Sequence, residues 1–201
     1  MSLFDITPSP LQKVRLKEVC SLASACYLRG WNQGTAGNFS VRGAKNIAWI
    51  SPSGVSKGVL QAVSFIPLGI EDLEVRGGLY VKPSDEAPLH MAVYKRYHNA
   101  QAIIHVHPPH VIRASIAAAK SLRFAGHEMA KALGASGHQE ALEIPVVDNT
   151  QDMIRLSKDF RSLSLRSSVF VLRGHGVYAW STEPDRALAA IEALEFLCQF
   201  D

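Results

Sequence analysis

The sequence has no cluster of lysine and arginine, no long apolar run and no Cys-x-x-Cys pair, and each absence removes a class of function. Charged residues make up 19% of the 201 residues and the net charge is +3. That balance supplies no basic groove for nucleic acid, although a small anionic ligand stays compatible with it. No uninterrupted apolar stretch is long enough to cross a membrane, and Met1 to Pro10 lacks the basic-then-apolar order of a signal peptide. The expectation is a soluble, cytoplasmic chain. Cys20, Cys26 and Cys198 are read as reduced, packed thiols, because Cys20 and Cys26 sit too far apart along one predicted helix to bridge. Repeats, linkers and low-complexity segments are also missing, and the length suits one domain spanning residues 1–201.

What is present is organised around Ile103-Ile104-His105-Val106-His107-Pro108-Pro109-His110. A β-branched lead-in and a double proline mark a short buried strand with an abrupt end. Residues two apart on a strand share a face, so His105 and His107 aim at one volume. A lone His-x-His is as often a packed pair as a metal-binding one, and the rest of the chain has to decide.

Before this strand, Ser9 and Pro10 start a helix whose apolar residues Leu11, Val14, Val19, Leu22 and Cys26 follow helical spacing to Gly30. A polar glycine-rich loop, Trp31 to Asn38, feeds predicted strands Phe39 to Arg42 and Ile47 to Ile50. Ser51 to Gly58 (SPSGVSKG) then has the composition of a backbone cradle for phosphate, as does Gly37-Asn38, although such loops are more often plain turns. Phe65 to Leu68 and Leu79 to Val81 read as short strands, and Ser84-Asp85-Glu86 as the start of a helix reaching about His98, a third anion-binding end.

After the histidine strand the pattern predicts a helix from Pro109 to Lys120, a helical turn over Glu128 to Leu133 and a strand Ile144 to Val147. Thr150 should cap a helix ending near Phe160. Two β-rich runs between Ser168 and Trp180 flank Gly174-His175-Gly176, where glycines on both sides let the backbone bend and approach other groups closely. Thr182 to Asp185 has a capping-box pattern, and Leu188, Ile191, Leu194 and Leu197-Cys198 form one face of a last helix.

His105, His107 and His175 together make a three-imidazole set, which leaves a coordination position open as catalytic sites do. Imidazoles of this number accept Zn, Fe, Mn or Co. Two carboxylates come into question beside them. Glu86 reads equally as a first-turn helix charge, and Glu128 as an exposed helix residue. His90, His98, His110, His127 and His138 are taken as structural or solvated.

Gly30 to Arg42 (GWNQGTAGNFSVR), SPSGVSKG, Pro83 to His90 (PSDEAPLH) and His105-Val106-His107, in this order, resemble the class II aldolase/adducin family. Within it, Leu172 to Trp180 (LRGHGVYAW) and Glu192 to Leu197 (EALEFL) are similar to the branch of methylthioribulose-1-phosphate dehydratases of methionine salvage. The resemblance implies a three-layer α/β/α fold with a central, mostly antiparallel mixed sheet. It also implies a homotetramer with sites near subunit boundaries, and a phosphorylated ketose as substrate.

It further implies His105, His107 and His175 as ligands of one divalent metal per subunit, most often Zn2+. Gly37, Asn38, Ser53, Gly54, Lys57 and Ser84 would hold the substrate phosphate. Glu128 would be the acid/base, and Glu86 a metal-proximal carboxylate that handles protons in the aldolases. There are departures: Val106 and Pro108-Pro109 replace the usual Thr and Ser, and Ser181 replaces a Gly. The sequence stops at Asp201, without the tail that carries a tyrosine to the aldolase site, which favours the dehydratase. The rival readings are a sugar-phosphate aldolase or 4-epimerase of the fuculose-phosphate type, and a non-catalytic adducin-like assembly domain.

Overall fold

The structure is a computed structural model describing residues 6–77 and 81–200. Its centre is an eight-stranded sheet in the order β3-β2-β1-β4-β8-β7-β6-β5. The strands are β1 (Asn38–Arg42), β2 (Ile47–Ile50), β3 (Ile66–Gly69), β4 (Ala102–Val106), β5 (Ser121–Phe124), β6 (Leu142–Val147), β7 (Val169–Leu172) and β8 (Gly176–Ser181). All neighbours pair antiparallel except β6 with β7.

Alternation along the strands divides the apolar residues between two cores. Ile104, Val169 and Val171 face helices α1 (Pro10–Leu28) and α5 (Pro184–Leu197). Ile103, Phe170 and Leu172 face α2 (Ala87–Arg96) and α4 (Met153–Ser162). Helix α3 (Pro109–Ala117) joins the α1/α5 side through Val111. Strand β4 is buried along its whole length, which explains its unbroken apolar run apart from His105.

Helix α1 starts as expected, with a capping box between Ser9 and Gln12, and Gly30 follows its end at φ +79. Its buried stripe is Leu16, Val19, Ala23 and Cys26, whereas Leu11 and Val14 are 60% and 61% exposed. The helix meets the sheet only from its second turn onward. Leu188, Ile191, Leu194, Leu197 and Cys198 are buried together as the periodicity predicts.

Several boundaries differ. Asp152, rather than Thr150, caps α4 by accepting from the Arg155 amide at 2.9 Å. The proposed capping box at Thr182 does not form, because the helix starts one residue later with Pro184 at its first position. Helix α2 ends at Arg96 and α3 at Ala117, short of His98 and Lys120. The expected strand at Leu79 to Val81 falls largely outside the described residues, and Val81 itself is not in a strand. Strand β5 was not anticipated: it is a sheet-edge strand with two buried apolar residues, Leu122 and Phe124, too few to stand out.

Phe160 fastens α4 to the sheet, with ring contacts to Phe170, Trp180 and Tyr97 and no exposed surface. Phe160→Ala should therefore cost about 3–5 kcal/mol in chemical denaturation. Val63→Ala, at a residue 89% exposed, should stay within about 0.5 kcal/mol.

Candidate metal centre

Antiparallel pairing sets His105 of β4 opposite Tyr178 of β8, and their rings stack at 4.1 Å. The turn between β7 and β8 carries His175 to the same end of the sheet. Gly176 makes this possible: a Cβ there would meet the Val106 carbonyl oxygen and His107 Cδ2, each at 2.6 Å, and His105 Cε1 at 3.0 Å. Gly37 plays the matching part on the other side, where a Cβ would come within 2.8 Å of the His105 carbonyl oxygen. The histidine strand end is thus enclosed by two backbones without side chains.

The imidazole nitrogens converge. Nε2 of His107 lies 3.0 Å from Nε2 of His105, and the ligand atoms of His105, His107 and His175 all lie within 4.8 Å of one another. The Val177 carbonyl, 3.0 Å from His105 Nδ1, accepts a hydrogen bond from that nitrogen, which keeps the ring proton on Nδ1 and leaves the lone pair on Nε2. Burial lowers the pKa of His105 to about 4, against the opposing influence of Glu86. It lowers that of His107 to about 3, helped by the neighbouring histidines. Both rings are therefore neutral near pH 7. Three imidazoles gathered this closely are of the kind and number that could hold one divalent ion.

Glu86, the N-cap residue of α2, closes the cluster. Its Oε2 lies 3.1 Å from His105 Nε2 and its Oε1 3.3 Å from His175 Nε2. The Tyr178 hydroxyl donates to the same carboxylate, and Asn38 Nδ2 does so at 3.0 Å. Burial works to raise the Glu86 pKa, but His105, the Tyr178 hydroxyl and the Asn38 amide outweigh it and hold the carboxyl well below the usual carboxylate range. Burial and the facing carboxylate push the Tyr178 hydroxyl far up, so it stays a donor.

Behind Asn38 runs a buried chain of hydrogen bonds. His90 Nε2 meets Asn38 Oδ1 at 2.5 Å, Ser40 Oγ meets His90 Nδ1 at 2.7 Å, and the Tyr94 hydroxyl meets Ser40 at 2.9 Å. Burial lowers the His90 pKa to about 3, so the ring carries one proton. With the Asn38 amide turned toward Glu86, that proton sits on Nε2, and Ser40 donates to Nδ1. The network thereby orients the amide that faces Glu86.

This geometry can be set beside known proteins. The family description "Class II Aldolase and Adducin N-terminal domain" matches residues 17–201. The chain belongs to this family. Class II aldolases are divalent-metal dependent, and this member's three histidines form a set able to hold such an ion. It is 37% identical over 177 residues to a methylthioribulose-1-phosphate dehydratase of Granulibacter bethesdensis, covering 84% of this chain and 82% of that one. A protein of the same name from Acidiphilium cryptum is 35% identical over 186 residues, covering 91% and 87%. Among solved structures, the l-fuculose-1-phosphate aldolase of Thermus thermophilus superposes with a TM-score of 0.76 at 25% identity, covering 94% of each chain. YgbL of Escherichia coli reaches 0.80 at 21% identity, covering 94% and 89%. Both share its fold, which is the layered, mostly antiparallel architecture expected.

The positions expected to hold the substrate phosphate come together only in part. Pro52 and Pro83 form a bridge, Ser53 N donates to Lys82 O, and Ser84 N to Ser51 O, so Ser53, Gly54 and Ser84 lie on adjoining loops. The Ser51 hydroxyl accepts from the Phe39 amide and ties these loops to Gly37-Asn38. Two side chains are committed elsewhere. Asn38 is buried between His90 and Glu86, and Lys57 turns inward to donate to the carbonyls of Thr35 at 3.0 Å and Val55 at 2.7 Å. Burial lowers the Lys57 pKa to about 8, and its observed part is to hold the two loops together.

Glu128 is not brought to the three histidines. It heads a 3₁₀ segment, Glu128–Leu133, pairs with Lys131 and is 70% exposed in its side chain. Ala130 and Leu133 pack in the α1/α5 core, whereas His105 shares its face with Ile103 and Tyr178 on the α2/α4 side. The preceding strand β5 is four strands from β4, roughly 19 Å at ordinary strand spacing. Sequence reasoning missed Tyr178 and the His90 relay. The signal for Tyr178 was its spacing from His175 on a strand predicted to follow the Gly-His-Gly turn.

Gly176→Ala should displace the His105 and His107 rings and lower affinity for a divalent ion at least tenfold, measured by competition with a chromophoric chelator. Gly137→Ala, at a glycine with no atom near its missing Cβ and no left-handed φ, should leave that affinity unchanged.

Proposed function

We propose that this protein is a metal-dependent hydro-lyase converting 5-methylthioribulose 1-phosphate to 2,3-diketo-5-methylthiopentyl 1-phosphate, a step of methionine salvage in the cytoplasm. The observation that carries the proposal is the convergence of three imidazoles beside a carboxylate, in a chain related over most of its length to dehydratases of that name. His105, His107 and His175 are the proposed ligands and Zn2+ the proposed ion. Bound there, it supplies Lewis acidity toward the sugar's C2 oxygen. The chain's own groups do the rest. Ser53, Gly54, Ser84 and the backbone of Gly37 position the phosphate, with Asn38 and Lys57 fixing the loops around it, and positioning lowers the entropic barrier.

Dehydration breaks the C3–H and C4–O bonds. The electrons of the C3–H bond become the C3=C4 double bond, hydroxide leaves C4 and takes up a proton as water, and the resulting enol becomes the diketone. Glu128 is the proposed proton carrier, taking the C3 proton or protonating the departing hydroxide. Because the sheet separates it from its own histidines, we place it in the site of a neighbouring subunit of a homotetramer. Leu11 and Val14, left bare on α1, are apolar surface that an assembly would cover.

A second reading is favoured by the position of Glu86 between His105 and His175. With Glu86 as the proton carrier, the same centre would perform retro-aldol cleavage, giving a triose phosphate and an aldehyde. Incubating the metal-loaded protein with methylthioribulose 1-phosphate separates the two by product. Glu128→Gln should keep metal and substrate affinity while kcat falls about 10²-fold or more. Glu86→Gln should lose metal affinity together with rate. Triose phosphate as product, with Glu128→Gln fully active, would hand the reaction to Glu86.

The shared site has its own check. Glu128→Gln and His175→Ala subunits are each expected to be inactive alone. Dissociated together and reassembled, they should regain activity, because some interfaces then combine an intact histidine set with an intact Glu128. Absence of any recovery in proven hybrids would return Glu128 to its own subunit.

A further inference from the structure

Helix α3 links the two segments that carry the histidines. It begins immediately after His107, with Pro108 as N-cap and Pro109 at the first position. Proline has no side-chain oxygen to satisfy the first amides, and Glu195 of α5 supplies it from outside. Its carboxylate accepts from the His110 amide at 3.3 Å, the Val111 amide at 3.0 Å and His110 Nδ1 at 2.7 Å. Glu195 is buried, so no solvent competes for these bonds.

The other end of α3 is held by the two residues ahead of His175. The Arg173 guanidinium donates to the carbonyls of Ser115 at 2.8 Å, Ala119 at 2.9 Å and Ala118, and to the Asp148 carboxylate at 2.7 Å. The Gly174 amide donates to the buried Ser115 hydroxyl at 2.9 Å. Glu195 and Arg173 belong to the EALEFL and LRGHG segments, and the proposed chemistry uses neither.

We propose that α3 is a strut fixing the separation of His107 from His175, with Arg173 and Glu195 as its positioning residues. This rests on the metal-binding reading of the three histidines. A helix clamped at both ends resists changes in length, because its backbone hydrogen bonds must break to alter it. The Arg173 fork engages three carbonyls at once in a geometry that a point-charge ammonium cannot reproduce. Loosening either clamp lets the β7–β8 turn drift relative to the end of β4, and the loss appears first as weaker, distorted metal binding.

Arg96 provides a matched control. Its guanidinium clamps the carbonyls of Phe160, Arg161 and Leu163 at the end of α4. Chelator-stripped protein is titrated with Co2+, following the visible bands and, by competition, the affinity, while thermal unfolding of each metal-free variant reports stability. Arg173→Met should weaken Co2+ binding at least tenfold and shift the bands. Ser115→Ala should do so to a smaller degree, and decides the question if Arg173→Met does not fold. Arg173→Lys should recover part of the affinity. Arg96→Met should lower the melting temperature comparably yet bind Co2+ as the wild type does. Unaltered Co2+ binding in Ser115→Ala and in folded Arg173→Met, or an equal loss in Arg96→Met, would overturn the strut. A wild-type chain that gives no Co2+ bands would overturn the metal reading beneath it.

Discussion

Where β8 leaves its turn, Gly176 lies against β4 so closely that one added carbon would meet the Val106 carbonyl at 2.6 Å. The molecule's chemistry hangs on this contact. It lets the two strands pair up to their ends, which puts Tyr178 over His105 and brings His175 within reach of His107. A bulkier residue would separate the imidazoles even if every helix stayed in place. Cores of this density transmit such a displacement instead of absorbing it.

Around that contact the two faces of the sheet carry different loads. The α1/α5 side is an apolar core. The α2/α4 side also buries His90, Ser40 and the hydroxyls of Tyr94 and Tyr178, each with a hydrogen-bond partner. A buried polar chain is favourable only when all its members are satisfied. Here every proton has one consistent position, from Tyr94 through Ser40 and His90 to the Asn38 amide. Specificity of side-chain orientation near the histidines is the result, with the polar groups of one face serving as the backing of the site.

The sheet's central strand and the three histidines were legible in the sequence because they rest on local rules. Period-two spacing puts His105 and His107 on one side, prolines end the strand, and paired glycines betray a close approach at His175. Glu86 was legible as a residue worth naming, yet its place between two histidines depends on how α2 lies across the sheet, which no local pattern encodes. Lys57 shows the opposite failure. A lysine in a serine- and glycine-rich loop suggests an outward cation, whereas two carbonyls from separate loops draw it inward. Glu128 sits in a correctly foreseen turn, but which face of the sheet that turn packs on follows from the order of strands β5 to β8.

Pairing of β4 with β8 joins residues 102–106 to 177–181, and this separation along the chain has a consequence for how the site comes into being. Contacts between such distant segments carry the full loop-closure entropy and form late in folding. The cluster is therefore assembled in two stages: His105 and His107 come together on one strand, and His175 joins them only when β8 docks beside that strand. The three imidazoles are gathered by the most distant pairing around them and by no local element, so the site is complete only when the sheet is.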